Sequence, residues 1–164
     1  MLSDPVKELD SYLNDHLAGS IGAIELIAHW AKLYQGKPPG AFFTDLESEI
    51  KADQERLRDL MGCLGVEESK VRQAGAWAAQ KLGLARIMIA GDERGSLGLV
   101  LALEGLIMGI TGKQLLWRSL DAANLPKTEG FDFKELQRRA EEQIERTEAQ
   151  RIRAAQQAFA NPAD

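Results

Sequence analysis

Residues 97–116 read LGLVLALEGLIMGITGKQLL, an apolar run with Glu104 near its middle and Lys113 near its end. A run of this kind belongs to a helix in a protein interior. A carboxylate placed there has to be paired, hydrogen-bonded or neutralised. The charges and the interspersed glycines leave the run short of the ~20 clean apolar residues that a membrane span needs, so no membrane association is expected. Two stripes share the helix by the i, i+3, i+4 rule. One is Leu97, Leu101, Glu104, Met108, Thr111 and Leu115. The other is Gly98, Ala102, Gly105, Gly109, Gly112 and Leu116. Gly105, Gly109 and Gly112 would let a second backbone approach closely, either a segment of the same chain or a second subunit.

Helical signals continue on both sides of this stretch. Ser3 or Asp4 before Pro5 is a helix start, with a capping side chain and then proline in the first turn. The first helix is expected to run to about Gln35, stopped by Gly36 and Pro38-Pro39. Its apolar face passes through Leu13, His16, Ser20, Ile27 and Trp30. Thr44 and Glu47 have capping-box spacing and would open a second helix ending at Gly65. On its face Leu46, Ile50, Asp53 and Leu57 fall in register, which assigns Asp53 to the core. Residues 66–94 are rich in alanine and glycine. They are too many for a tight turn and are read as a long crossover containing a short helix at 68–81. The third helix covers about 96–122 and the fourth about 132–159. The fourth turns Phe133, Leu136, Ala140, Gln143, Thr147, Arg151 and Ala154 to one side. Residues 161–164 read as a frayed tail after one domain at 1–160.

Composition sets further bounds. The chain has 164 residues, 45% hydrophobic and 27% charged, with a net charge of −5. That balance argues against a nucleic-acid partner held by a basic field. Cys63 is the only cysteine, so no intrachain disulfide exists and a reduced, cytoplasmic setting is expected. The GITGKQ run lacks the spacing and the preceding strand of a phosphate loop.

Four long helices with a long connection between the second and third make an all-α four-helix bundle of ferritin-like topology. YLNDHLAGSIGAIELIAHW at 12–30, the long second helix, and LEGLIMGITGKQLLW at 103–117 resemble an uncharacterised bacterial branch of the ferritin-like superfamily. The resemblance spans nearly the whole chain. It implies a fold with helices two and three parallel, and a di-iron site built from carboxylates and Glu-x-x-His pairs. The chain departs from that ligand set. It has no Glu-x-x-His, both histidines (His16 and His29) lie on the first helix, and the inward residue of the fourth is the amide Gln143.

Counting along antiparallel helices puts Asp53 level with Gln143, Thr111 and the Ala23 region. Glu104 then falls level with Arg151, and His16 about two turns off, at 1.5 Å per residue. The expected arrangement is a buried polar cluster of His16, Asp53, Glu104, Gln143 and Arg151, with Glu104 paired to Arg151 and Asp53 bonded to Gln143 or Thr111. The expected function is a non-catalytic binding or interaction role without a cofactor, in a homodimer or with a protein partner. The alternative is a metal-binding protein or metal-dependent oxidoreductase. It would hold iron or manganese on Asp53, Glu104 and His16, carboxylate plus imidazole being a suitable donor set.

Overall fold

The computed structural model describes residues 4–70 and 95–160. Among them are four long α-helices and no strand: α1 (Pro5–Leu33), α2 (Pro38–Leu64), α3 (Ser96–Ala123) and α4 (Phe133–Phe159). The crossover helix at 68–81 and the tail at 161–164 fall wholly or largely outside the described residues.

Most helix ends follow from local chemistry. The Asp4 side chain accepts from the Val6 backbone N–H, and Pro5 occupies the first turn of α1. Gly65 ends α2 in the left-handed region at φ 72°, its N–H donating to the Gly62 carbonyl. Asp132 caps α4 by accepting from the Glu135 N–H at 2.9 Å. The start of α2 differs from the expected Thr44–Glu47 capping box. The helix begins about two turns earlier, at Pro38-Pro39, because proline is already set for a first turn that needs no N–H. Thr44 lies inside the helix and donates back to the Gly40 carbonyl at 3.0 Å. Gly40 itself is required: an added Cβ would stand 2.2 Å from the Tyr34 carbonyl oxygen.

The helices pair as two hairpins, α1 with α2 and α3 with α4. Thinner contacts join α1 to α3 and α2 to α4. Each contacting pair is antiparallel. Ser20 meets Gln54 and Asn14 meets Glu67. Glu104 meets Arg151 and Lys113 meets Gln143. Tyr12 meets Ser119, and Glu49 meets Arg146 while Arg56 meets Gly130.

The core has two apolar clusters. One gathers Ile27, Trp30, Phe43, Leu46, Leu103 and Leu106. The other gathers Leu13, Leu17, Leu57, Leu60, Trp117 and Leu136. Asp53 falls between Ile50 of the first and Leu57 of the second, and Lys113 between Ile110 and Leu116. A polar layer therefore divides the core. A second polar tie was not foreseen. Fully buried Asn14 donates to the Glu67 carbonyl at 3.1 Å and accepts from the Ser69 N–H at 2.7 Å, fastening α1 to the chain beyond α2.

The inward face of α3 takes in Gly98, Ala102 and Leu116 of the second stripe but departs from the first. Leu99, Leu103, Leu106, Ile110, Trp117 and Leu120 are buried. Leu101, Met108 and Leu115 of the first stripe are 37%, 70% and 50% exposed. By length and composition α3 is also apolar enough to cross a membrane.

Candidate functional site

The polar layer is built around Asp53, which is 3% exposed. One carboxylate oxygen accepts from the Lys113 ammonium and, at 3.0 Å, from the Gln143 side-chain N–H. The Gln143 carbonyl oxygen accepts a second bond from Lys113. The other Asp53 oxygen lies 2.9 Å from the Arg139 guanidinium, an ion pair without hydrogen-bond alignment. An amide at 143 suits this place because it donates to the carboxylate and accepts from the ammonium at once. Burial pushes the Lys113 pKa below its ordinary value, Asp53 pulls it back up, and Arg139 adds to the lowering.

Beside this network Gln54 donates to Ser20 Oγ at 2.7 Å, and Ser20 donates to the Leu17 carbonyl at 2.6 Å. The two groups open onto a cavity of about 580 Å³ between α1 and α3, backed by α2. Its walls are mainly apolar, including Leu26, Ile27, Ile50 and Leu106. Gly19 and Gly22 of α1 and Gly105, Gly109 and Gly112 of α3 line it, as do His16, Asp53, Lys113 and Trp117. Burial lowers the His16 pKa from its ordinary value, with Asp15 opposing, so the imidazole is neutral at neutral pH. Buried Trp117 stacks on Phe133, and its indole N–H has no hydrogen-bond partner among the described residues.

The expected five-residue cluster is thus divided. Asp53 and Gln143 meet as anticipated, and His16 lines the same cavity as Asp53. Glu104 pairs with Arg151 at 3.6 Å, again as anticipated, but the pair lies outside the core, with Glu104 47% and Arg151 24% exposed. The apolar helix rotates Glu104 toward solvent, which removes its desolvation cost.

Lys113 and Arg139 were missed. Lys113 is visible in the sequence as the cation of the apolar run, on neither of its two stripes. A Cβ added at Gly105, Gly109 or Gly112 meets no described atom within 4 Å, because these positions face the cavity.

The ligand set for a metal does not fit. Among the described residues no three His, Cys, Asp or Glu side chains gather in ligand geometry. Asp53 is already engaged by two cations, and Glu104 is on another face. Comparison with known proteins finds no matching family model, no matching curated protein and no matching solved structure.

Proposed function

We propose that the chain is a ferritin-like bundle with a non-catalytic binding role, and that its ligand site is the cavity between α1 and α3. The cavity carries this reading: its volume falls within the ~300–1,000 Å³ typical of small-molecule sites, and its walls are apolar with a few convergent polar groups. The Asp53–Lys113–Gln143 network neutralises its own charges, as a permanent floor of such a site would. The ferritin-like topology is supported by the antiparallel pairings, since α2 and α3, each antiparallel to α1, run the same way. Residues 65–94 would then return the chain along the bundle, as a long crossover does.

Titration with Nile red, a neutral apolar dye, tests the site. Saturable binding at one site per chain is expected. Gly109→Phe should fill the cavity and weaken binding at least tenfold while the helical circular-dichroism signal is kept. No saturable binding, or equal binding by the folded variant, would remove the reading.

A second reading concerns assembly. We propose a homodimer through the outward face of α3 in place of the glycine stripe. Leu101, Met108 and Leu115 are exposed and spaced seven apart. An antiparallel twofold would set Met108 on its own copy and each Leu101 on a partner leucine at 115, the self-complementary contact that such symmetry requires. Sedimentation should show a dimer that Met108→Lys converts to a folded monomer; a monomeric unmodified chain would exclude it.

A further inference from the structure

The shape of the cavity bears on what it holds. Its lining runs from Tyr12 to Ile27 on α1 and from Gly105 to Trp117 on α3, roughly 20 Å along the bundle at 1.5 Å per residue. The Tyr12–Ser119 contact sets the register of these two antiparallel helices. Counted from it, Gly19 falls level with Gly112 and Gly22 with Gly109. Glycine thus faces glycine across the mid-section. A Cβ added at Gly19, Gly109 or Gly112 would meet no described atom within 4 Å, so the gap between the two backbones is broad there. Bulky residues flank it, His16 and Trp117 toward one end and Leu26 and Leu106 toward the other.

The polar groups gather at the same level. Ser20 meets Gln54 and Lys113 meets Asp53, all within about one turn of the middle. An ammonium has three N–H donors. Lys113 commits two, to Asp53 and Gln143, and the third has no acceptor among the described residues. Its side chain is 15% exposed and lines the cavity. The charges of the lining do not favour an ionised ligand. Asp15 and Asp53 outweigh Lys113, so an anion gains nothing from them, and Asp53 and Lys113 are already paired. A cation at mid-length would meet the Lys113 ammonium as a like charge.

We propose that the cavity binds a neutral, flat ring system carrying a carbonyl, its rings lying between the glycine faces of α1 and α3 and its carbonyl oxygen accepting from Lys113. This rests on the binding role proposed above and names its ligand class. A flat ring suits the mid-section because glycine offers it bare backbone on both faces. A chain amphiphile suits it less, since its polar head stands at one end and the polar groups here stand in the middle. A carbonyl matches a lone donor because it accepts without bringing a donor of its own to be satisfied. Apolar substituents on the ring would extend toward the two ends.

Fluorenone, a flat neutral ketone, tests this by displacement of Nile red from the unmodified chain. Fluorene has the same rings without the carbonyl, and dipentyl ketone has the carbonyl on a flexible chain of similar hydrophobicity. Fluorenone is expected to bind roughly fivefold or more tighter than fluorene, because a hydrogen bond from a charged donor outweighs the desolvation of the carbonyl. It should bind roughly tenfold tighter than dipentyl ketone, whose rotors are frozen on binding. Fluorenylacetate and fluorenylmethylamine, an anion and a cation, should both bind more weakly than fluorenone. Lys113→Met should bring fluorenone and fluorene to within about twofold. The ligand series decides even where that variant fails to fold. Equal binding of fluorenone and fluorene overturns the carbonyl contact. Equal or tighter binding of dipentyl ketone overturns the ring, and tighter binding of either ion overturns the neutral class. Each of these leaves the binding role standing, whereas absence of saturable Nile red binding removes both.

Discussion

Replacing Asp53 by leucine is expected to destabilise the chain by about 3–5 kcal/mol, the usual cost of leaving a buried charge without its partner. At ~2–4 °C per kcal/mol for a chain of this size, the midpoint of thermal unfolding should fall by roughly 6–20 °C. Asp53 is 3% exposed and Lys113 15% exposed, so the pair is shielded from the solvent screening that makes surface ion pairs weak. Without the carboxylate, the Lys113 ammonium remains buried near Arg139 with only an amide oxygen to accept from it. The loss should therefore depend on pH. Burial already holds the folded-state pKa of Lys113 below its ordinary 10.5, and removing Asp53 takes away the group that raises it. Between the lowered folded value and 10.5 the unfolded chain binds the extra proton, so stability rises with pH across that window. Asp53→Leu should recover part of its loss as the solution is made alkaline, and denaturant titration from neutral pH to about 10.5 measures this. The triple variant Asp53→Leu, Lys113→Met, Gln143→Leu removes the charges together and should return most of the stability, since apolar replacements of buried pairs are often neutral or stabilising. A neutral single variant would mean that the layer is hydrated and contributes no buried pair.

The same layer shows how far the sequence could be read. Asp53 was assignable to the core because α2 and α4 carry strong contrast between apolar and charged faces. A period of 3.6 then singles out an inward acid on α2 and an inward amide on α4. The level of Asp53 with Gln143 followed from counting rise per residue away from the hairpin turns. On α3 that contrast is missing. Nearly every position is apolar, so periodicity could not distinguish Leu99, Leu103 and Leu106, which are buried, from Leu101 and Met108, which are exposed. Glu104 was drawn into the core by that ambiguity. Lys113, which does enter the core, lies on neither stripe, although the acid opposite it is placed by its register. Two further features lay beyond any pattern rule. Asn14 is held by backbone groups more than fifty residues away, and the cavity arises from spacing between hairpins, which no single helix encodes.

The triple substitution Gly105→Ala, Gly109→Ala, Gly112→Ala is expected to raise stability by about 1.5–3 kcal/mol, or roughly 3–12 °C in the unfolding midpoint. All three glycines lie inside α3, well away from both caps. Glycine in a helix interior costs roughly 0.5–1 kcal/mol against alanine, because it has more backbone freedom to lose on folding. None of the three has the positive φ that would make glycine necessary. An added Cβ meets no described atom within 4 Å at any of them, so the propensity gain comes without overpacking. The three sites share no clashing partner and their effects should be close to additive. The sign of the result separates two roles for the stripe. A seam against another backbone would be forced apart by three methyl groups, and overpacking costs about 1–3 kcal/mol per site. The triple variant would then be several kcal/mol less stable, or would lose its oligomeric state. A cavity wall instead gives a more stable chain with a slightly smaller cavity, and Nile red affinity should change by less than the loss expected of Gly109→Phe. Glycine would then have been kept at these positions, against its cost to the helix, for the room it leaves between α1 and α3.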